Sequence, residues 1–308
     1  MSDPVLVTGA AGGQQGATGR LITTLLLKQQ IPVRAFVHNV DARADELRDE
    51  GAEIFVGDLL NPCSVHEAMK GVRRAYFTYP VVDGLMEAAT IFAAMARGEG
   101  LELVVNNSQF QDTPGDPFFR DLVVAPTRRN LQHRLVDRIF DWAQVGAVHI
   151  QAPPYYENVR ALISQTVSEK GTVFLPWGNG DAGFPLAGAE DVARVAAALL
   201  ASTSLPPQRE YPLVTEVRTV HQIVEILSRV LGRPLQYVPI TDDQWASAMK
   251  DRINGHALDH LSHLWRYFRT REHQSQPTNV VREVTGRDPQ TLEGFFKRNI
   301  RFFNAASQ

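Results

Sequence analysis

The chain has 308 residues, of which 44% are apolar and 21% charged, and its formal net charge is −3. This composition is typical of a globular protein, and it shows no basic patch of the kind that marks a nucleic-acid partner. The single cysteine, Cys63, excludes a disulfide framework and a thiolate metal site. Because the apolar runs are too short to span a bilayer and the first residues lack a signal-peptide pattern, we expect a cytoplasmic protein without a membrane partner, either a monomer or a homodimer.

The first half of the chain alternates between strand and helix patterns. Six short apolar runs read as strands: VLVTG, VRAFV, AEIFVGDL, RAYFTYP, LELVVNNS and AVHIQA. Helical segments separate them. Asp41 is a predicted N-cap of the second helix, and Asn61 with Pro62 begins the third. This alternation predicts an α/β fold with a doubly wound parallel Rossmann sheet and helices on both faces.

The second half is less regular, and helical patterns dominate after about residue 215. We therefore expect a smaller, mainly helical C-terminal lobe that walls a substrate pocket. The predicted division places the Rossmann domain at residues 1–152 and the lobe at residues 153–308. Some segments, at about 170–215, should return to the Rossmann domain.

The turn after the first strand is dense in glycine. It lies in VLVTGAAGGQQGATGR, where glycine occupies positions 9, 12, 13, 16 and 19. A glycine turn between a strand and a helix lets the backbone approach a pyrophosphate at the helix N-terminus. The predicted dinucleotide loop comprises Gly9, Gly12, Gly13, Gln14, Gln15 and Gly16.

The tip of the second strand distinguishes between the two nicotinamide dinucleotides. An NAD enzyme places Asp or Glu there to bind the ribose 2′-hydroxyl. This chain has FVHNVDAR, in which Asp41 is explained as a helix cap and the basic candidates are Arg34, His38 and Arg43. We therefore predict NADP(H), bound at least about tenfold more tightly than NAD(H). The alternative is that the two arginines are ordinary solvated surface charges.

Five segments carry a family resemblance over nearly the whole chain: VTGAAGGQQGATGR, GDLLNP, AYFTYP, PPYYENV and TGRDPQTLEGFF. Together they resemble the NmrA-like branch of the atypical short-chain dehydrogenases/reductases. The resemblance implies that the glycine loop holds the pyrophosphate and that Asp58 and Leu59 lie by the adenine. It places Thr78, Tyr79 and Pro80 along the nicotinamide ribose, and the segment 155–158 beside the nicotinamide. The remaining predicted cofactor contacts are Asn107, Pro154, Tyr155 and Asn158.

The chain departs from that family in its catalytic residues. It has no Tyr-x-x-x-Lys pair, and the helix that usually carries the lysine offers Arg128, Arg129, His133 and Arg134 instead. His133 lies near the usual place of the lysine, so it is the candidate catalytic residue, able to hold a ribose hydroxyl or relay a proton. The alternative is a helical His133 that only pairs with Asp137.

The predicted substrate pocket is apolar and aromatic, and its candidate residues are Tyr155, Tyr156 and Trp265. Three histidines in HALDHLSHLW have a spacing that could suggest a metal site. That segment lacks the glutamate of the zinc motif H-E-x-x-H, so we predict no metal.

Two functions from different classes fit these features. The first is an NADPH-dependent reductase of a flat aromatic acceptor such as a quinone or an azo compound, for which hydride comes from the cofactor and little acid catalysis is needed. The second is a non-catalytic NADP(H) sensor that regulates a partner protein. The missing Tyr-x-x-x-Lys pair is compatible with both.

Overall fold

The computed structural model describes residues 3–13, 17–110, 128–270 and 275–304. Its first part alternates strand and helix: β1 Val5–Thr8, α1 Thr18–Lys28, β2 Val33–Val37, α2 Ala42–Asp49, β3 Glu53–Val56, α3 Pro62–Met69, β4 Arg74–Phe77, α4 Leu85–Glu99, β5 Leu103–Gln109, α5 Arg128–Ala143 and β6 Val148–Ala152. All six predicted strands are present. The side chains of Asp41 and Asn61 cap α2 and α3 as expected, each accepting two backbone N–H groups.

The remaining elements are shorter and more mixed. They are α6 Tyr156–Lys170, β7 Thr172–Leu175, β8 Phe184–Leu186, α7 Ala189–Ala201, β9 Glu210–Pro212, β10 Glu216–Arg218, α8 Val220–Leu231, β11 Gln236–Pro239, α9 Asp242–Met249, α10 Gly255–Thr270, α11 Val280–Thr285, α12 Leu292–Arg298 and a 3₁₀ turn Ile300–Phe302. Helices dominate after β10, as the sequence predicted.

The main sheet has the strand order β3-β2-β1-β4-β5-β6-β9, and every neighbouring pair is parallel. The order 3-2-1-4-5-6 is that of the doubly wound Rossmann fold, which confirms the predicted fold class. In this order the chain reverses its winding between β1 and β4. Ligands bind at such a switch point, beyond the carboxyl ends of the strands.

Helices cover both faces of the sheet. One apolar core joins the sheet to α1, α2 and α7, and the other joins it to α3, α4 and α5. A third core lies in the C-terminal region around the buried rings of Trp177, Trp245 and Trp265. Both α7 and β9 pack with the sheet although they follow residue 152. The division of the chain at that residue stays a prediction.

A buried polar network ties α5 to the sheet. Asn106 Nδ2 and Ser108 Oγ donate to the Asp137 carboxylate at 2.7 and 2.8 Å, and His149 Nδ1 lies 3.3 Å from it. Burial raises the pKa of Asp137 to about 6. These bonds fix the position of α5, the helix that carries His133.

Over the described ranges, no helix is both long and apolar enough to cross a membrane.

Candidate functional site

A cleft of about 860 Å³ lies at the carboxyl edge of the sheet and continues under α10. This volume lies in the upper part of the usual range for ligand clefts. Its wall includes most of the residues predicted from the sequence: Gly9, Gly12, Gly13, His38, Arg43, Asp58, Leu59, Thr78, Tyr79, Pro80, Asn107, His133, Pro154, Tyr155, Asn158 and Trp265. Gln14, Gln15 and Gly16 lie outside the described residues.

The glycine loop is shaped by left-handed backbone. Gly9 and Gly12 have φ of 64° and 77°, and the Gly12 N–H donates to the Gly9 carbonyl at 3.0 Å. A Cβ at Gly9 would lie 2.8 Å from Cγ2 of Thr78. A Cβ at Gly13 would meet no atom within 4 Å. The loop therefore turns tightly at its first two glycines and, among the described residues, leaves open space over the third.

Gly19 allows α1 to start directly against β1. A Cβ there would lie 2.5 Å from the Thr8 carbonyl oxygen, so a side chain would force the helix away. The third glycine of the dinucleotide fingerprint serves the same close helix–strand packing. Gly19 is therefore a further residue that shapes the site, beside the glycines predicted from the sequence. Its position in the sequence, ten residues after Gly9 and in the first turn of the predicted helix, is the pattern that indicates this packing role.

The N-terminus of α1 fits a pyrophosphate. Its N-cap is Ala17 in the left-handed conformation (φ 49°), no described side chain caps it, and its first turn has no acidic residue. The first N–H groups of a helix need an acceptor, and the helix dipole favours a negative charge there. With the open space over Gly13, this arrangement fits the phosphates of a dinucleotide.

From the first turn of α2, just beyond β2, Arg43 reaches the glycine loop. Its Nη1 donates to the Gly12 carbonyl at 3.1 Å, while Nε and Nη2 donate to Asp41 Oδ2 at 3.0 and 2.6 Å. The hydrogen-bonded pair raises the pKa of Arg43 and lowers the pKa of Asp41. Arg43 and His38 both line the cleft, so a 2′-phosphate there would share Arg43 with Asp41.

The structure does not bring Arg34 to the cleft, which corrects the expectation for that residue. Its Nε donates to Glu53 Oε1 at 2.8 Å, and its Nη1 donates to the carbonyls of Ala68 and Lys70 at 2.9 and 2.7 Å. Arg34 therefore closes the end of α3 and binds β3. It shares a face of β2 with Phe36 and His38, but it lies at the start of the strand, four residues or about 13 Å before His38 at the tip.

Tyr156 is also absent from the cleft wall. It is fully buried in the core of the C-terminal region, its hydroxyl lies 2.9 Å from Thr215 Oγ1, and its ring centroid lies 5.6 Å from that of Phe295. Its neighbour Tyr155 precedes α6, where the Asn158 side chain accepts the Tyr155 N–H at 2.8 Å. The two adjacent tyrosines therefore have different surroundings. Tyr155 lines the cleft, and Tyr156 packs in the core.

A chain of hydrogen bonds crosses the ends of three strands at the far end of the cleft. Thr8 Oγ1 donates to the Thr78 carbonyl at 3.1 Å, and Asn107 Nδ2 donates to Thr78 Oγ1 at 3.4 Å. The Tyr155 hydroxyl donates to Asn107 Oδ1 at 3.2 Å. Burial raises the pKa of Tyr155 to about 12, so this hydroxyl is protonated at neutral pH.

Arg129 is a site residue that sequence analysis did not assign. It is 1% exposed, and its guanidinium donates to the carbonyls of Tyr79, Pro80 and Val82 at 2.8–3.2 Å. Burial lowers the pKa of Arg129 to about 10, so it remains charged at neutral pH. It fixes the segment after β4, which lines the cleft. A buried arginine is uncommon, and no sequence pattern distinguished it from the arginines beside it.

His133 does not pair with Asp137, so that alternative is wrong: the Asp137 carboxylate is taken up by Asn106 and Ser108. Instead, His133 Nε2 accepts from Arg129 Nε at 3.3 Å. Burial and the charge of Arg129 lower the pKa of His133 well below 6.5. His133 therefore lines the cleft as a neutral imidazole.

The histidines of α10 do not converge. His256 Nδ1 lies 3.4 Å from Asp83 Oδ1, His263 Nδ1 lies 3.3 Å from Asp259 Oδ1, and burial lowers the pKa of His260 to about 3. In the part of the chain that the structure describes, no group of three or more His, Cys, Asp or Glu is placed to hold a metal ion.

Comparisons with known proteins agree with a dinucleotide cleft. Residues 13–142 match the sequence family described as NAD(P)H-binding. An NAD(P)H azoreductase of Xenophilus azovorans is 25% identical, over 96% of this chain and 98% of its own length.

Two solved structures cover nearly the whole chain. An NADPH-dependent quinone oxidoreductase of Escherichia coli, complexed with NADPH, has a TM-score of 0.79 at 18% identity and covers 96% of this chain and 99% of its own. NmrA, a negative transcriptional regulator in complex with NADP, has a TM-score of 0.75 at 17% identity and covers 96% of this chain and 95% of its own. At these identities the likeness shows the fold. Residues 13–142 thus match an NAD(P)H-binding domain, and the chain shares the fold of the quinone oxidoreductase and of NmrA.

Proposed function

We propose that this protein is an NADPH-dependent reductase that transfers hydride to a flat aromatic acceptor, a quinone or an azo compound. The observation that carries the proposal is the shape of the cleft, which begins at the N-terminus of α1, where no described side chain forms a cap, and ends under the apolar side of α10. An oxidoreductase is also supported by the NAD(P)H-binding match and by the similarity to an azoreductase over nearly the full length of both chains.

The first part of the cleft would hold the cofactor. The α1 N-terminus and the open space over Gly13 suit the pyrophosphate, and Asp58 and Leu59 suit the adenine. His38 and Arg43 suit a 2′-phosphate, since a guanidinium forms strong charge-assisted bonds to phosphate oxygens. When bound, the cofactor supplies the hydride.

The second part of the cleft, which we call the acceptor end, would hold the substrate. It is lined by Asn107, His133, Tyr155, Leu261, Leu264 and Trp265. Apolar side chains from α10 face polar groups at the strand ends, and this combination suits a flat ring that carries a few polar atoms. Quinones and azo compounds are electron-poor, so they accept hydride without a strong acid catalyst. The missing Tyr-x-x-x-Lys pair is compatible with such substrates.

The test is the oxidation of NADPH by the purified protein, followed by absorbance, with a panel of naphthoquinones, azo dyes, imines and aldehydes. We expect oxidation that depends on a quinone or azo acceptor and exceeds the rate with imines and aldehydes. The Gly13→Val variant is the matched control, because it removes the space for the pyrophosphate and should be inactive with every acceptor.

A non-catalytic NADP(H) sensor is the second candidate, and the likeness in fold to NmrA favours it. A sensor would bind NADPH and NADP⁺ but oxidise NADPH no faster with any acceptor than without one. The same panel therefore separates the two functions.

A further inference from the structure

Tyr155 is a protic side chain that lines the acceptor end. Tyr79 donates its hydroxyl to the Asp83 carbonyl at 3.1 Å, and Asp83 does not line the cleft. The Nε2 atom of His133 accepts from Arg129, and its Nδ1 atom is shielded from solvent and so out of reach of a ligand in the cleft. The Tyr155 hydroxyl, by contrast, donates to Asn107, and both residues line the cleft.

We propose that the Tyr155 hydroxyl donates a hydrogen bond to the reducible oxygen or nitrogen atom of the acceptor, and that Asn107 positions that hydroxyl. The proposal rests on the proposed function and assigns a residue to its chemistry. This tyrosine lies before α6, on a different element from the tyrosine of the Tyr-x-x-x-Lys pair, which the chain lacks.

The chemistry needs a donor that keeps its proton. A quinone that gains a hydride from NADPH becomes a hydroquinone anion, one proton from water then completes the hydroquinone, and the cofactor leaves as NADP⁺. Negative charge develops on the quinone oxygen as the hydride arrives. A fixed hydrogen-bond donor in a site of low polarity stabilises that charge more than the neutral starting state. Burial raises the pKa of Tyr155 to about 12, so the phenol remains protonated throughout.

Asn107 suits the positioning role because an amide can both donate and accept. In the structure its oxygen accepts from Tyr155 at 3.2 Å, and its nitrogen donates to Thr78 Oγ1 at 3.4 Å. Once the hydroxyl turns to the acceptor, the phenol oxygen needs a donor, which the same amide can supply after rotation. A carboxylate at this place could only accept, and it would hold the hydroxyl away from the acceptor.

The experiment compares Tyr155→Phe with the matched control Tyr156→Phe, which loses a hydroxyl buried in the core. Each variant is assayed with NADPH and two flat acceptors, a naphthoquinone and the N-methylacridinium cation. The cation becomes neutral when it accepts hydride, so no negative charge develops and no hydrogen bond is needed. We expect Tyr155→Phe to lower kcat for the quinone by about tenfold to a hundredfold and to leave the cation within about twofold. Tyr156→Phe should leave both acceptors unchanged.

Equilibrium binding provides a readout that does not depend on turnover. The anion of 2-hydroxy-1,4-naphthoquinone is titrated into the NADP⁺-loaded protein, and the Kd of NADPH is measured separately. We expect Tyr155→Phe to weaken binding of the anion by about tenfold and to leave the Kd of NADPH within about threefold. Tyr156→Phe should change neither value.

Three results would overturn the proposal. Equal losses with the quinone and the cation, or a large loss of NADPH affinity, would make Tyr155 a cofactor-positioning residue. If Tyr155→Phe leaves both quinone turnover and binding of the anion unchanged, Tyr155 has no role in the reaction. Wild-type protein that oxidises NADPH with neither acceptor would reject the proposed function, and the anion titration would still decide whether the hydrogen bond forms.

Discussion

The surroundings of His133 decide what its imidazole can do. The sequence places a histidine near the usual position of a catalytic lysine, and that pattern alone allows a proton relay, a ribose ligand or a surface ion pair. The structure excludes the ion pair between His133 and Asp137, because the Asp137 carboxylate accepts hydrogen bonds from Asn106 and Ser108. It also makes the imidazole neutral, since burial and Arg129 lower its pKa well below 6.5. A charged general acid near neutral pH is therefore not available at this position.

Substitution of His133 tests this conclusion. We expect His133→Ala to lower quinone turnover by less than about tenfold, below the effect typical of a lost general acid or base. Because burial and Arg129 hold the pKa of His133 well below 6.5, the imidazole does not titrate near neutral pH, and wild type and variant should have pH–rate profiles of the same shape there. Steady-state kinetics at a series of pH values measures both. A thousandfold loss, or a limb near pH 6.5 that only the wild type shows, would restore a catalytic proton to His133.

The pair formed by Arg43 and Asp41 should decide how strongly the protein prefers NADPH over NADH, and substitution of either residue tests this. Only His38 and Arg43 of the three predicted basic residues reach the cleft, and Arg43 is shared with Asp41. We expect Arg43→Ala to lower the preference for NADPH over NADH by about tenfold, the value of one charge-assisted bond. Asp41→Asn should raise that preference, because it frees Arg43, while asparagine still caps α2.

The measurement is the Kd of each dinucleotide by fluorescence titration, with the Kd of NADH as the internal control. Both substitutions should leave NADH binding nearly unchanged. If the ratio of the two Kd values is the same in wild type and both variants, Arg43 does not bind the 2′-phosphate.

At the scale of the element, the glycines of the β1–α1 turn have two different roles, close packing of the helix on the strand and space for a ligand. Gly19 is required by the protein itself, because its Cβ would lie 2.5 Å from the Thr8 carbonyl oxygen. Gly12 has φ of 77°, so a side chain there would strain the loop as well as obstruct a ligand. Gly13 has no left-handed φ, and a Cβ there would meet no described atom within 4 Å, so we expect a side chain at this position to obstruct a ligand in the cleft without strain in the described part of the loop.

Three glycine variants therefore have different expected outcomes. Gly13→Val should unfold like wild type, keep the same circular dichroism spectrum and lose measurable NADPH binding, because its side chain occupies the pyrophosphate space. Gly19→Ala should lower the free energy of unfolding by about 1–3 kcal/mol through overpacking. Gly12→Val should show both effects. Thermal unfolding and NADPH titration test all three, and a Gly13→Val protein that binds NADPH normally would place the pyrophosphate elsewhere.

Features of the elements that depend on neighbouring residues could be predicted from the sequence, and features that depend on packing could not. The strands and the caps at Asp41 and Asn61 are local features, fixed by apolar runs and by side-chain bonds two or three residues away, so they could be predicted. The different fates of Tyr155 and Tyr156 depend on where α6 begins and on what packs against it. The prediction for Arg34 was wrong because this residue lies at the start of β2, whereas the cleft opens at the carboxyl end of the strand, where His38 lies.

At the scale of the whole molecule, the order of the strands makes the cleft. Because β1 lies between β2 and β4, their carboxyl ends open on a common crevice, and α10 closes it from the C-terminal region. The βα alternation predicted that crevice and the loops around it. The buried Arg129 and the histidines of α10 come from segments more than a hundred residues apart, and no local pattern indicates that they meet.

The same arrangement gives the molecule a cofactor end and an acceptor end within one cleft, which is the central claim of the proposed function. The measurement that tests it most directly is the rate of NADPH oxidation with a naphthoquinone, together with the amount of hydroquinone formed, for wild type and Gly13→Val. We predict acceptor-dependent oxidation by the wild type, one hydroquinone per NADPH consumed, and no activity in the variant. Wild-type protein that binds NADPH but oxidises it no faster with a quinone or an azo dye than without one would contradict the reductase and favour the sensor.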